Sequence, residues 1–242
     1  MNKMKRITTI LAVIGLFALT SCDFFLQKPD TTGTVDRDAV FSTKKNAEAA
    51  LMSCYANALV HGLPGGLGYT HGTLGAISGE INRGASWHGT YFIAQQGLNV
   101  NGAGSDATDS SNGSSAGSEN WAKNWSVIRQ CYIVKENIDM VQDLTDDEKA
   151  VIKAEVTALV AYRYMGMFYR YGGVPIVTRS FEASDDLTAG RVSLEETLQH
   201  IIDLCDEAHA GLPAKWDAAN TGRMTQGAVL AIKARALMFA AR

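Results

Sequence analysis

"YMGMFYRYGGVPIV", Tyr164 to Val177, places four aromatic residues within eight positions and then breaks on Gly172-Gly173-Val174-Pro175. Upstream, "EKAVIKAEVTALVAYR" is rich in helix formers and sets small residues at Ala150, Ala154, Ala158 and Ala161, a three-to-four spacing that draws one narrow face along a helix. The aromatics therefore occupy the last turns of that helix. Gly172 or Gly173 can take the left-handed conformation at its carboxyl end, and Pro175 keeps the helix from resuming. An aromatic run so placed is either a binding surface or the inside of a helical scaffold, and the remaining sequence decides between them.

Helical period recurs on both sides of this stretch. Ser42 can cap a helix whose apolar positions Ala47, Ala50, Leu51, Cys54, Tyr55, Ala58 and Leu59 share a face, with Gly62 past its end. From Trp121 two apolar stripes run side by side, one of Trp121, Trp125, Ile128 and Tyr132, the other of Val127, Cys131, Val134, Ile138 and Val141. A helix apolar on two stripes packs against more than one neighbour. Thr145-Asp146-Asp147-Glu148 supplies the negative charge that suits the start of the next helix. Ser193-Leu194-Glu195-Glu196 fits a capping box and opens a helix with Leu194, Leu198, Ile201, Cys205 and Ala208 inward, closed by Gly211 and Pro213. A fifth helix begins near Thr225 and continues to the last residue.

Displaced by 73 positions, Ala154, Val156, Ala158, Leu159, Ala161 and Met165 meet Gly227, Val229, Ala231, Ile232, Ala234 and Met238. Small residues at matching turns let helices approach closely, and the recurrence of that pattern around an intervening antiparallel helix is the signature of stacked helix pairs. The expectation is an all-α, repeat-like protein. Between Gly62 and Ser118 no period is sustained, so a long irregular insertion is expected there. Residues 62–100 keep Ile81, Trp87, Tyr91, Phe92 and Leu98 as apolar mass, whereas 101–118 have almost nothing to bury.

The amino terminus reads as an export signal: Lys3, Lys5 and Arg6, then an apolar stretch from Ile7 to Leu19 that is too short to span a bilayer comfortably. Leu19-Thr20-Ser21-Cys22 follows the bacterial lipoprotein pattern, in which the cysteine is acylated and becomes the first residue. An ordinary secretory signal with an accidental cysteine is the plainer alternative. Acyl chains on Cys22 would tether the chain to a membrane without threading it through. Loss of residues 1–21 removes three positive charges and no negative ones, taking the formal charge from −3 to −6. An acidic mature chain argues against a nucleic-acid partner. Cys54, Cys131 and Cys205 form no C-x-x-C pair and fall on the apolar sides of their helices, as small buried residues do. The spacing leaves open whether any of them pair.

These parts together resemble the SusD/RagB family of outer-membrane nutrient-binding lipoproteins. The resemblance is carried by the lipobox with its "CDFFLQKP" start, the F-x-x-x-x-x-A-x-x-A-L-x-x-C-Y pattern from Phe41 to Tyr55, "AEVTALVAYRYMGMFYRYGGVPIV", the R-x-S-L-E-E-T capping box and "GRMTQGAVLAIKARALMFAAR". It implies tetratricopeptide-like helix pairs, no enzymatic activity, no cofactor and a place as the lid of a TonB-dependent outer-membrane transporter that takes up oligosaccharides or, in some branches, peptides. On this basis residues 1–21 are a lipoprotein signal peptide, 22–36 a lipid-anchored tether and 37–242 a SusD-like helical-repeat domain truncated at its carboxyl end, since family members are longer. The aromatic run would then pack inside the scaffold. A helical-repeat scaffold that binds only protein is the alternative from another class.

A sugar site asks for exposed rings to stack on C–H faces, with planar amides, carboxylates or guanidinium groups for the hydroxyls. "GEINRGASWHGTYF" offers that combination in Glu80, Asn82, Arg83, Trp87 and Tyr91. The competing role for Trp87 is to anchor a long loop. Trp121, Trp125 and Trp216 lie on or beside periodic helices and are expected in the core. His61, His71, Glu80 and His88 lack metal-ligand spacing. Ser42-Thr43-Lys44-Lys45 fits S-x-x-K without the companion motifs of an acyl-enzyme, and "GLPGGLG" lacks the Lys-Ser/Thr of a phosphate loop.

Overall fold

A computed structural model describes residues 37–59, 121–181, 184–186 and 188–241. Within them lie six α-helices and no strand: α1 (Arg37–Val40), α2 (Lys44–Ala58), α3 (Trp121–Asn137), α4 (Asp146–Tyr171), α5 (Leu194–Gly211) and α6 (Gln226–Ala240). The all-α expectation is met. Residues 60–120, including Gly62 and the expected insertion, lie outside the described residues.

The helices start where the chain provides side-chain acceptors for their free N–H groups. For α2 that residue is Thr43, whose Oγ1 accepts from Asn46 N at 3.3 Å, and not Ser42 as the sequence suggested. Ser42 Oγ instead donates to the Ala39 carbonyl of α1, and Asp143 accepts from Lys44 N at 2.6 Å. The acidic opening of α4 is a full capping box between Thr145 and Glu148, and Ser193 with Glu196 forms the one anticipated for α5. Glu148 also pairs with Lys44 of α2; that ion pair, and then the Thr145 bonds, hold its carboxyl down at about 2.

The contacts fix the helix directions. Trp121 meets Tyr171 and Asp139 meets Lys153, so α3 and α4 run antiparallel. Gly211, at the end of α5, lies against Ala154 near the start of α4, and Thr197 holds Val174 N at the other end, so α4 and α5 are antiparallel too. Phe239 packs on Phe168 and Arg223 reaches Glu155, which makes α6 parallel to α4. The order read from the displaced small residues, two parallel helices with an antiparallel one between, is therefore present. Where α3 meets α2 and α4 its second stripe is buried throughout, and of the first stripe Ile128 and Tyr132 are buried.

Helix α4 is the centre of this stack. From Ala154 to Phe168 every residue except Tyr162 and Gly166 is buried, while Ala150, on the expected small face, is exposed. Its aromatic end lies inside the helical scaffold and not on a binding surface. Tyr164 and Phe168 are wholly buried, and Tyr169 and Tyr171 are half-buried at the margin. The Tyr164 hydroxyl accepts from Val177 N at 2.8 Å and faces the Pro175 carbonyl at 3.3 Å, so it satisfies the buried backbone of the turn that follows its own helix. The two glycines have separate reasons. Gly172 has φ +69°, and a Cβ on Gly173 would lie 2.0 Å from the Val192 carbonyl oxygen.

Two expectations for α5 change. Leu194 is 47% exposed, because the first helical residue stands over Gly172 at the rim instead of pointing into the core. Gly211 remains helical, and its role is close approach: a Cβ there would sit 2.8 Å from that of Ala154. The helix is capped at Leu212, which is buried.

Candidate functional site

The residues expected to carry function, Cys22 for the anchor and Glu80, Asn82, Arg83, Trp87 and Tyr91 for the ligand, lie outside the described residues. What the described residues supply is the scaffold edge next to them in sequence, and two constellations there stand out.

The first is aromatic. Trp121 opens α3, and its ring meets Trp125 edge-on at 5.2 Å and Tyr171 at 5.1 Å. Trp125 continues inward to Tyr164 at 6.1 Å, and Tyr164 to His200 at 4.7 Å. Trp121 was expected in the core, yet it is 40% exposed, while Trp125 is half-buried. The spacing of Trp121 and Trp125 located the stripe correctly; the signal that could have exposed Trp121 was its position at the boundary with an aperiodic segment. Arg191 holds this edge in place by donating to the Tyr171 and Gly173 carbonyls, the unsatisfied end of α4. An indole supported from beneath by other rings is chemically suited to stacking on an apolar face of a ligand.

The second constellation is polar and buried. Glu155, wholly buried on α4, accepts from Tyr55 Oη at 2.5 Å and Arg223 Nε at 2.7 Å on one oxygen and from Arg223 Nη2 on the other. Tyr55 Oη in turn accepts from Met224 N at 2.8 Å. Arg223 also donates to Asn220 and lies over the Trp216 ring at 4.3 Å, while Trp216 Nε1 donates to the Met224 carbonyl. Trp216, expected in the core, is instead half-buried in this loop, where its ring supports Arg223. Burial first, and then the Glu155 charge, push the Tyr55 hydroxyl up, so it stays protonated and donates. With both carboxylate oxygens engaged, this arrangement fastens the "GRMT" loop to α2 and α4. Among the described residues no group of three or more His, Cys, Asp or Glu could hold a metal ion, and no helix is long and apolar enough to cross a membrane.

A family model described as "Starch-binding associating with outer membrane", SusD-like, matches residues 74–238. The chain belongs to the SusD-like family. Solved structures share its fold. A SusD-like protein from Bacteroides fragilis superposes with a TM-score of 0.62 at 21% identity, covering 85% of this chain and 36% of that one. A laminarin-binding SusD-like protein gives 0.65 at 17% identity, with 83% and 41% covered. A surface glycan-binding protein from Bacteroides thetaiotaomicron, in complex with laminarihexaose, gives 0.57 at 16%, with 83% and 40% covered. The chain therefore spans less than half the length of these SusD-like structures. No curated protein matches it.

Proposed function

We propose that this protein is a non-enzymatic, lipid-anchored surface protein that captures oligosaccharides for uptake through a partner TonB-dependent outer-membrane transporter. The observation that carries the reading is the SusD-like match over residues 74–238, a family described by starch binding at the outer membrane. Structural relatives that bind laminarin or laminarihexaose support the same class of ligand. The aromatic edge at Trp121 and Tyr171 supports it chemically, because it adjoins in sequence the segment holding Trp87 and Tyr91. Ligand contact falls to Trp87, Tyr91, Asn82, Arg83 and Glu80, and membrane attachment to acylated Cys22.

Calorimetric titration of the purified protein with malto- and laminari-oligosaccharides tests the ligand. Binding to at least one series is expected, with Trp87→Ala weakening it about 30-fold or more at an unchanged Tm, as loss of a central stacking ring does. Absence of binding to every oligosaccharide, with retained binding to a transporter, would favour the protein-only scaffold. For the anchor, cells fed an alkyne fatty acid should label the wild type and not Cys22→Ala; equal labelling would remove Cys22 from this role.

A further inference from the structure

Cys54 lies on α2 and Cys131 on α3, both wholly buried at the seam where these helices pack. The residues just before them meet directly, Gln130 Nε2 donating to Ser53 Oγ at 2.7 Å, and both cysteines are free thiols in this structure. The same seam is held a turn away by Asn57, whose side chain exchanges hydrogen bonds with Gln130 and Lys123 of α3. Arg163 of α4 also donates to Asn124 and to the Asn57 carbonyl, so α2 and α3 are positioned by groups independent of sulfur. Two cysteines distant in sequence thus share one register position between facing helices. Cys205, by contrast, lies on α5 beside Asp206 and Lys233, with burial pushing its thiol up to about 11.

We infer that Cys54 and Cys131 are a disulfide-forming pair that covalently joins α2 to α3 once the chain reaches an oxidising envelope compartment. The inference needs only export, which the outer-membrane association of the family requires; it does not depend on the ligand. The oxidant is a thiol–disulfide oxidoreductase in its disulfide form. The thiolate of one cysteine attacks a sulfur of that disulfide, giving a mixed disulfide and releasing an enzyme thiolate, which takes up a proton. The thiolate of the other cysteine then attacks the protein-side sulfur, forming the Cys54–Cys131 bond and expelling the second enzyme thiolate. Two electrons pass to the oxidoreductase, and the two thiol protons end on its dithiol. In the folded protein the neighbouring Cys54 thiol and then burial hold the Cys131 thiol well up, so the exchange belongs to the stage before the seam closes. Afterwards the bond is shielded from reductants by the helices themselves.

The test is to secrete the full chain into an oxidising envelope, denature it in N-ethylmaleimide without reductant, digest it and map the peptides by mass spectrometry. The expected result is one linked species joining the Cys54 and Cys131 peptides, which separates on reduction, with Cys205 alkylated in the same sample. Cys54→Ala should leave Cys131 alkylated, Cys131→Ala the converse, and Cys205→Ala should leave the link intact. Reduction in mild denaturant should lower the Tm on the order of 10 °C, given the long loop enclosed. Alkylation of Cys54 and Cys131 in most molecules of the wild type, as complete as that of Cys205, would overturn the inference. The wild-type map decides the matter even where a variant fails to fold.

Discussion

Helices α4 and α6 are parallel, flank the same helix α5 and carry matching small and apolar positions, yet they are buried to very different degrees. Ala154, Val156, Ala158, Leu159, Ala161 and Met165 are all buried on α4. At the matching α6 positions only Val229 and Ile232 are buried; Gly227, Ala231 and Ala234 are exposed, and Met238 is 72% exposed. The difference lies in the neighbours. Helix α4 is enclosed by α2, α3, α5 and α6, whereas α6 meets α5 and α4. Similar sequence thus specifies similar faces, and the surrounding helices decide how much of each face is removed from water.

Substitutions can break or sharpen that contrast. The largest effect is expected where α4 carries a charge with no counterpart on α6. Glu155→Ala leaves the Arg223 guanidinium without its anion and should cost about 3–5 kcal/mol in denaturant melts; a loss under about 1 kcal/mol would show that the fastening of the loop is absent in solution. Next, Leu159→Ala and its match Ile232→Ala should each cost about 2–5 kcal/mol, because both side chains belong to the stripe that is buried in both helices. A cost for Ile232→Ala near zero would mean that α6 is less firmly docked than described.

The small face gives the sharpest separation per atom changed. Ala158→Phe should overpack its site and lower stability by about 1–3 kcal/mol, while Ala231→Phe should stay within about 0.5 kcal/mol of the wild type. Equal losses at both positions would show the α6 face to be covered. The smallest effect concerns pH. Burial depresses the pKa of His200, which packs edge-on against Tyr164 of α4. As pH falls the unfolded chain therefore takes up a proton first, near its ordinary value of about 6.5. The contribution of His200 is present above that value and is lost below it, towards the folded pKa. His200→Gln should flatten the fall in stability between about pH 7 and pH 5, and an unaltered slope would assign the dependence to other groups.

The scaffold was largely legible because period, caps and breakers are local. Tyr164–Pro175 announced both a buried helix end and its stop, and Ser193 with Glu196 announced a start. The Thr145-x-x-Glu148 box has the same pattern, and its negative charge alone already marks a helix start. Choosing Thr43 over Ser42 needed the Asp143 carboxylate and the short helix α1, neither of which a one-residue choice between adjacent hydroxyls reveals. Leu194 and Trp121 share a different reason. Each satisfies the period of its helix at the amino-terminal edge of the described stack, Leu194 directly after its cap Ser193, and period alone does not report how much of a face is covered. Glu155 reads as one more polar helix residue until Tyr55 and Arg223 arrive from 100 and 68 positions away. The ligand residues proposed on 80–91 rest on their chemistry and on family resemblance.

The bond between Tyr55 Oη and Met224 N joins positions 169 apart in a stack otherwise built mainly from neighbouring helices. Such a stack can assemble progressively, each hairpin docking as it becomes available, with little loop-closure entropy at any step. The Tyr55–Glu155–Arg223 union cannot. Tyr55 and Glu155 must wait for the loop that carries Arg223 and Met224 before their polar groups are satisfied, so this tie closes after the helices between them have docked. A chain delivered amino terminus first therefore completes this polar seal only once the residues through Met224 have been released.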